Sequence, residues 1–316
     1  MHTLKLHDGT DFPAFGLGTW LSKKGEVYAA VRHALKVGYR HVDCAWIYFN
    51  EDEIGQALTD AFAEGDIKRE DLWVTSKLWN DKHAPADVRP ALEGTLADLK
   101  LDYIDLYLMH WPVPHKPGAA RPKESSDFLT LDEMPLEATW EAMTRLPAAG
   151  LAKQVGVSNF SASKVAGLID KTGIVPAVNQ VELHPFLQQR ELLDAMTEHG
   201  VVVTAYSPLG SRGRPDMMRR DDEIVLLEHP EVVRIAAELG ATAGQVVIAW
   251  ALARGTAVIP KSTNPARIEQ NLAATKLELR PKDMEALGDL DRAERYVTGD
   301  FWCPPGSPHT LESLWG

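Results

Sequence analysis

The sequence predicts an α/β fold, namely a (β/α)8 TIM barrel with an N-terminal β-hairpin and long loops on its C-terminal face. Three observations predict it: a short apolar run alternates with an amphipathic run eight times, the apolar runs are rich in β-branched residues, and no stretch has the composition of an interdomain linker. Such strands suit a parallel sheet buried on both faces, and eight successive units suit a closed barrel. We therefore expect residues 1–316 to form a single barrel domain.

The elements are predicted in order from local patterns. Asp8-Gly9 lies between alternating residues and is a strong turn signal, so residues 1–14 are predicted to form the hairpin. FGLGTW is the first strand, and the helix after it carries on one face Val27, Ala30, Val31, Ala34 and Leu35. Seven further units follow, each given as the predicted strand and then the predicted helix: HVDCA and 51–62; LWVTSKL and 88–99; YIDLYLMH and LEATWEAMTRL; AKQVGVSN and SASKVAGLID; PAVNQVEL and QRELLDAMTEHG; VVVTAYS and the two helices PEVVRIAAELG and GQVVIAWALARG; TAVIPKS and NPARIEQNLAAT.

An open, doubly wound sheet is the alternative fold for such an alternation. Its dinucleotide-binding form carries G-x-G-x-x-G directly after the first strand. Here Gly16-Leu17-Gly18 is followed by Thr19-Trp20, which does not continue that pattern. The barrel is therefore the favoured prediction.

The composition limits the classes of partner. The chain has 316 residues, of which 45% are hydrophobic and 25% charged, with a net charge of -12 and a pI of about 5.4. An acidic protein repels phosphate backbones, so nucleic acid is not an expected partner. Two cysteines, no signal-peptide core and no apolar run long enough to span a bilayer predict a cytoplasmic protein without a membrane partner.

Function in a barrel is found where the strands end at their carboxyl side. Asp43, Tyr48, Lys77 and His110 lie at or just beyond the ends of three adjacent apolar runs, HVDCAWIY, LWVTSKLW and YIDLYLMHW. The full set of polar and aromatic residues predicted at strand ends is Trp20, Asp43, Tyr48, Lys77, Trp79, His110, Trp111, Ser158, Asn159, Gln180, Tyr206 and Lys261.

These four residues have the chemistry of a proton donor. A tyrosine has a pKa of about 10, and a nearby cation such as Lys77 is expected to lower it. Asp43 would keep that lysine charged, and His110 can hold an oxygen atom of a ligand. Each residue alone is more often an ordinary polar strand end, but four matched residues at three neighbouring ends favour protonation of a carbonyl oxygen. No metal is expected, because the sequence has neither H-E-x-x-H nor Cys and His at zinc spacing.

Several segments resemble the aldo-keto reductases, in order from the hairpin to the eighth helix: GYRHVDCAWIY, TSKLW, LMHWP, VGVSNF, NQVELHP and IPKS. The resemblance implies an NADP(H)-dependent reductase of aldehydes and ketones, of aldose or aldehyde reductase type, that is commonly a monomer. It implies that Tyr48 is the general acid, that Lys77 and Asp43 tune it, and that His110 positions the carbonyl. The nicotinamide supplies the hydride.

The predicted cofactor site lies at the eighth strand and the helix after it. Asn264-Pro265 is a good helix start, and a helix N-terminus attracts phosphate. Lys261, Ser262 and Arg267 are the predicted clamp for the 2′-phosphate of NADP, although a helix start with solvated charges is the ordinary alternative. The resemblance adds the following residues, with Gln270 where the family usually has glutamate: Gly18, Thr19, Trp20, Asp43, Ser158, Asn159, Gln180, Tyr206, Ser207, Pro208, Leu209, Ser211, Ile259, Gln270 and Asn271.

The predicted substrate pocket is aromatic. It is expected to comprise Trp20, Tyr48, Phe49, Trp79, His110, Trp111, Phe301 and Trp302, whereas core packing is predicted for Trp46, Trp73, Trp140 and Trp250. Two long loops, beginning at His110 and Gly210, and a C-terminal substrate loop at 293–316 should complete it. Such walls favour aldehydes with apolar or aromatic bodies.

Two other functions are compatible with parts of this pattern. One is a nucleotide-binding regulatory or structural subunit with little turnover, which the intact proton-donor cluster disfavours. The other is a barrel lyase or isomerase that uses Lys77 as a Schiff-base amine. Asp43 disfavours that function, because a neighbouring carboxylate favours the charged amine.

Overall fold

The computed structural model describes residues 2–220 and 222–316, so Met1 of the predicted hairpin and Asp221 of the second long loop lie outside it. The hairpin is present: β1 (Thr3–Lys5) pairs antiparallel with β2 (Asp11–Pro13). Its turn contains Gly9 at φ 86°, and the Asp8 side chain accepts a hydrogen bond from the Thr10 amide at 2.9 Å. This is the Asp-Gly turn that the sequence predicts.

Eight parallel strands follow, each hydrogen-bonded to the next in chain order. They are β3 (Leu17–Gly18), β4 (His41–Asp43), β5 (Trp73–Leu78), β6 (Ile104–Met109), β7 (Ala152–Ser158), β8 (Val178–Glu182), β9 (Val202–Tyr206) and β10 (Ala257–Val258). Almost every strand residue is buried, because the sheet is covered on both faces.

The sheet closes on itself. Parallel bridges join Phe15 to Val258 and Gly18 to Lys261, and the Gly16 amide donates to the Val258 carbonyl at 2.9 Å. Closure brings the first and last strands of the barrel so close that a Cβ on Gly18 would lie 2.6 Å from the Ile259 carbonyl oxygen, and position 18 therefore requires glycine. The predicted (β/α)8 barrel is confirmed, and the open sheet is excluded.

Helices surround the barrel between the strands. The outer layer is α1 (Glu26–Val37), α2 (Glu51–Ala63), α3 (Pro85–Leu99), α4 (Leu136–Met143), α5 (Ala162–Thr172), α6 (Arg190–His199), α7 (Pro230–Leu239), α8 (Ala243–Ala253) and α9 (Pro265–Ala273). Two further helices, α10 (Pro281–Gly288) and α11 (Leu311–Trp315), were not predicted. The former begins at a proline and the latter is a single turn, so neither has the long apolar periodicity that reveals a helix in sequence.

The helices bury the faces that their periodicity predicts. In α1 the five predicted apolar residues are all buried, together with Arg32. Helix α8 is apolar all round, since residues 246–251 are buried between the barrel and its neighbours. Within the described ranges, no single helix is both long and apolar enough to cross a bilayer; only the bent pair α7 and α8 meets that criterion jointly.

Candidate active site

A cavity of about 950 Å³ opens at the carboxyl ends of the strands. Most of the residues that the sequence predicts as functional line it: Gly18, Thr19, Trp20, Asp43, Tyr48, Trp79, His110, Trp111, Ser158, Asn159, Gln180, Tyr206, Ser207, Pro208, Leu209, Ser211, Ile259, Lys261, Ser262, Arg267, Asn271, Phe301 and Trp302. Three predicted residues do not line it. Lys77 lies beneath the floor, whereas Phe49 and Gln270 are on the outer surface.

Tyr48 reaches the floor by a different route from the one expected. The sequence predicts a strand HVDCA and puts Tyr48 at the end of the longer apolar run HVDCAWIY, but β4 ends at Asp43 and Trp46–Tyr48 form a single 3-10 turn. The turn ends at Phe49 in the left-handed region, with φ 54°. It therefore holds the phenol over the strand ends rather than in line with them.

A buried ion pair supports the floor. The Lys77 ammonium donates to Asp43 Oδ2 at 2.7 Å and to the Cys44 carbonyl at 2.8 Å. Gln180 Nε2 donates to the other carboxylate oxygen of Asp43 at 2.7 Å. Because both charges are almost completely buried and hydrogen-bonded, the pair is fixed in place.

The Tyr48 pKa shifts in the direction opposite to the one expected. Burial raises the pKa of the phenol well above its usual value, and the charges of Asp43, Cys44 and Glu51 raise it further. The Lys77 ammonium is 5.4 Å from the Tyr48 ring centroid, but Asp43 neutralises much of its field. The net shift is upward because burial of the phenol is the dominant cause, so the lowered pKa expected from the Lys77 cation is not reached in this geometry. The phenol is therefore protonated at neutral pH.

His110 is a neutral imidazole beside that phenol. Burial, and then the charge of Lys77, lowers its pKa well below the usual value. Its ring lies edge-on to Tyr48, with centroids 6.0 Å apart, and edge-on to Trp79 at 5.0 Å. Asn159 Nδ2 donates to the His110 carbonyl at 2.9 Å, which fixes the backbone of the histidine.

A set of amide and hydroxyl groups lies next to the floor. The Tyr206 hydroxyl donates to Asn159 Oδ1 at 2.7 Å, and the Ser158 hydroxyl donates to the Gln180 carbonyl at 2.8 Å. Asn159 itself has a left-handed backbone, at φ 63°. The same region of backbone space is occupied at Leu21, Ser207 and Ser211, which also line the cavity. Strained backbone of this kind is typical of functional sites.

The far end of the cavity is electropositive. Helix α9 begins there, with the Asn264 side chain accepting from the Arg267 amide at 3.0 Å. Lys261 donates only to the Leu21 carbonyl, at 3.3 Å, and Arg267 makes no ion pair with any described residue. Burial lowers the pKa of Lys261; the charge of Glu26 opposes this shift, and repulsion from Arg267 and Lys23 adds to it. Cations that repel one another beside a helix N-terminus fit an anionic group such as phosphate.

Aromatic side chains form the other wall. The Trp302 ring lies 5.8 Å from both Trp79 and Trp111, so the C-terminal segment closes against the strand ends. Trp140 and Trp250 are buried in the main core, as predicted. Trp73 is buried at the opposite end of the barrel with Phe12. Trp46 is only half-buried and packs against the cluster that contains Trp79 and Trp302, not in the main core.

Several lining residues escaped prediction, among them Leu21, Arg121, Arg212, Met217, Met218 and Val297. Most belong to long loops, whose length signals function but whose sequence does not reveal which side chains turn inward. Within the described parts of the chain, no cluster of three or more His, Cys, Asp or Glu residues could hold a metal ion.

Comparisons with known proteins agree with this geometry. Residues 14–292 match the model of the aldo/keto reductase family. The chain is 50% identical over 315 residues to the aldo/keto reductase slr0942 of Synechocystis sp., covering 100% of this chain and 96% of that protein. It is 46% identical over 294 residues to aldo-keto reductase family 1 member A1 of Mus musculus, covering 92% and 90% respectively. The solved aldose reductase from Schistosoma japonicum is similar with a TM-score of 0.87 and 41% identity, covering 95% of this chain and 96% of that one.

Proposed function

The chain belongs to the aldo/keto reductase family, and from this membership and the cavity geometry we propose that it is an NADPH-dependent reductase of aldehydes and ketones. One observation carries the proposal: Tyr48, His110 and the Lys77–Asp43 pair meet on the floor of a cavity whose other end holds the cations of Lys261 and Arg267.

The residues present fit a dinucleotide with a phosphorylated ribose. Asn159 and Gln180 provide amides near the floor, suited to the carboxamide of nicotinamide. Lys261 and Arg267 form no ion pair with any residue that the structure describes, so their cations suit the 2′-phosphate that distinguishes NADPH from NADH. When bound, NADPH supplies the hydride.

The chain itself would supply the proton. A phenol with a raised pKa retains its proton until a stronger base forms beside it, and the carbonyl oxygen becomes such a base as negative charge develops on it. Neutral His110 would hold that oxygen by a hydrogen bond. The Lys77 ammonium, 5.4 Å from the phenol ring, would then stabilise the tyrosinate that remains.

The test is Tyr48→Phe assayed by NADPH oxidation with an aromatic aldehyde. Loss of the general acid should reduce kcat by roughly 10²–10⁴-fold. NADPH should still bind, as followed by the quenching of tryptophan fluorescence, because the hydroxyl is removed without changing the cavity walls. Tyr28→Phe is a matched control, since Tyr28 donates to Asp60 on the helical layer and does not line the cavity.

Retained turnover in Tyr48→Phe would exclude this residue as the acid. If the wild-type chain binds NADPH but oxidises it with no aldehyde or ketone, a regulatory or structural subunit becomes the better assignment.

The site and its setting suggest where the protein acts. We propose that the protein acts in the cytoplasm, because its cysteines are free thiols, with Cys44 buried and Cys303 partly buried. We also propose that it is a monomer, as the resemblance to its family implies. Sedimentation equilibrium would check the monomer, and a stable dimer would contradict it.

A further inference from the structure

Arg121 is a cation at the mouth of the cavity that the proposed mechanism does not use. It lines the cavity near the floor residues Tyr48 and Trp79, and its side chain is exposed. Its guanidinium makes neither a hydrogen bond nor an ion pair within the described ranges. Lys261 and Arg267, at the α9 end, are the other cations of the cavity wall that form no ion pair within the described residues.

The backbone that carries Arg121 is held against the substrate wall. The Trp79 indole donates to the Ala120 carbonyl at 2.7 Å, and the His115 ring bonds the Ala119 carbonyl at 3.0 Å. Trp79 in turn packs edge-on against His110. Arg121 therefore extends from a segment fixed to the catalytic end of the cavity.

Phe49 holds the guanidinium in place. The Arg121 Cζ lies 4.9 Å from the centroid of the Phe49 ring, a cation–π contact. Phe49 directly follows Tyr48, is 58% exposed, and rests against Trp46 with ring centroids 5.5 Å apart. Although Phe49 is outside the cavity, it thus supports a charge next to the proposed acid.

Two other charged side chains that line the cavity already have partners of their own. Arg212 forms an ion pair with Glu228, and the Asp300 carboxylate accepts from the Thr298 hydroxyl at 2.7 Å and the Phe301 amide at 3.0 Å. Among the described residues at this end of the cavity, Arg121 has no charged partner and can accept a charged ligand.

We propose that Arg121, supported by Phe49, binds an anionic group of the substrate. The preferred substrates are then carbonyl compounds that carry a carboxylate or a phosphate a few atoms from the carbonyl. This substrate class rests on the proposed reductase function. Arg121 contacts the substrate directly, whereas Phe49 is a positioning residue.

The test compares two closely related probes, the anion para-formylbenzoate and its neutral methyl ester. In Arg121→Met, kcat/KM for the acid should fall about tenfold, the size expected for one charge-assisted hydrogen bond of about 1.4 kcal/mol. The fall should lie mainly in KM, and kcat/KM for the ester should change by less than about twofold. Lys123→Met is the matched control: it removes a cation from the same loop that does not line the cavity, and it should leave both probes unchanged.

Four further measurements distinguish the outcomes. Phe49→Ala should give a smaller loss for the acid alone, and Arg121→Lys should restore part of it. Raising the ionic strength from about 0.01 M to about 1 M shortens the Debye length from about 30 Å to about 3 Å, which should lower the acid-to-ester ratio in the wild type but not in Arg121→Met. Glycolaldehyde phosphate against glycolaldehyde tests whether phosphate is accepted as well as carboxylate.

An unchanged acid-to-ester ratio in Arg121→Met would overturn the inference, and so would an equal loss for both probes. Either result is compatible with the proposed reductase function, because the wild type would still reduce the ester. A wild type that reduces neither probe nor any neutral aldehyde would instead contradict the proposed function.

Discussion

The floor and the mouth of the cavity differ in whether their charged side chains are paired. On the floor, Lys77 and Asp43 are 1% and 2% exposed and bond each other and their neighbours. At the mouth and at the α9 end, Arg121, Lys261 and Arg267 are exposed and lack anionic partners in the described structure.

This difference follows from the free-energy cost of leaving a buried or an exposed charge unpaired. A buried charge must be paired, since an unpaired one costs several kcal/mol, so the floor is part of the folded core as well as of the proposed chemistry. An exposed cation costs little to leave unpaired, so the mouth can keep its charges for ligands. Changes on the floor should affect stability and turnover together, whereas changes at the mouth should affect ligand preference alone.

The largest effect is expected for Lys77→Met. It leaves the Asp43 carboxylate buried without its cation, which should lower the free energy of unfolding by about 3–5 kcal/mol and abolish most turnover. Urea denaturation and NADPH oxidation measure the two effects. Adding Asp43→Asn removes the orphaned charge, so the double variant should regain most of the stability but not the activity. A single variant as stable as the wild type would show that the floor is not part of the core.

A smaller effect, confined to cofactor preference, is expected for Lys261→Ala combined with Arg267→Ala. The ratio of kcat/KM for NADPH to that for NADH should fall by about tenfold to a hundredfold, since each lost charged contact is worth about 1.5–3 kcal/mol before solvent screening. The free energy of unfolding should change by less than about 0.5 kcal/mol.

A suitable control for that pair is Lys68→Ala with Arg145→Ala, two exposed cations that do not line the cavity. An unchanged cofactor ratio in the Lys261 and Arg267 variant would remove the phosphate assignment. A large loss of stability would contradict the separation between floor and mouth.

The smallest expected effect is on how the free energy of unfolding depends on pH. Behind the Trp79 wall, burial lowers the pKa of His83 to about 3 and that of His115 to about 4. Below their unfolded pKa of about 6.5, the unfolded chain binds protons that the folded one does not, so stability should fall as pH drops from about 6.5 towards 4. Glu51, whose pKa burial raises to about 7, has the opposite sign and offsets part of the loss.

His83→Leu should therefore flatten the acid side of a plot of unfolding free energy against pH. Both ring nitrogens of His83 are buried without a partner, so leucine removes a cost without breaking a hydrogen bond. A plot identical to that of the wild type would show that His83 does not titrate on unfolding in this range.

Much of the floor was predictable because strand ends are encoded locally. Asp43 and Lys77 were predicted from apolar runs alone, and the barrel rule placed them on one rim together with His110. Beyond that, the resemblance in IPKS and VGVSNF was needed to connect Lys261 and Asn159 to a cofactor. In contrast, the 3-10 turn before Phe49 and the outward direction of that ring had no local signal, because they depend on contacts between distant loops.

By itself the sequence determined the order of eight strands and helices, the hairpin, the family and which polar side chains end the strands, because the apolar periodicity and turn residues that encode them are local. Only the tertiary structure decided that the sheet closes through bridges from Phe15 to Val258 and from Gly18 to Lys261, and that burial raises rather than lowers the pKa of Tyr48. It alone brought Arg121 onto Phe49 at the cavity mouth. These features depend on groups far apart in the chain, whose separation and solvation are set only when the barrel is folded.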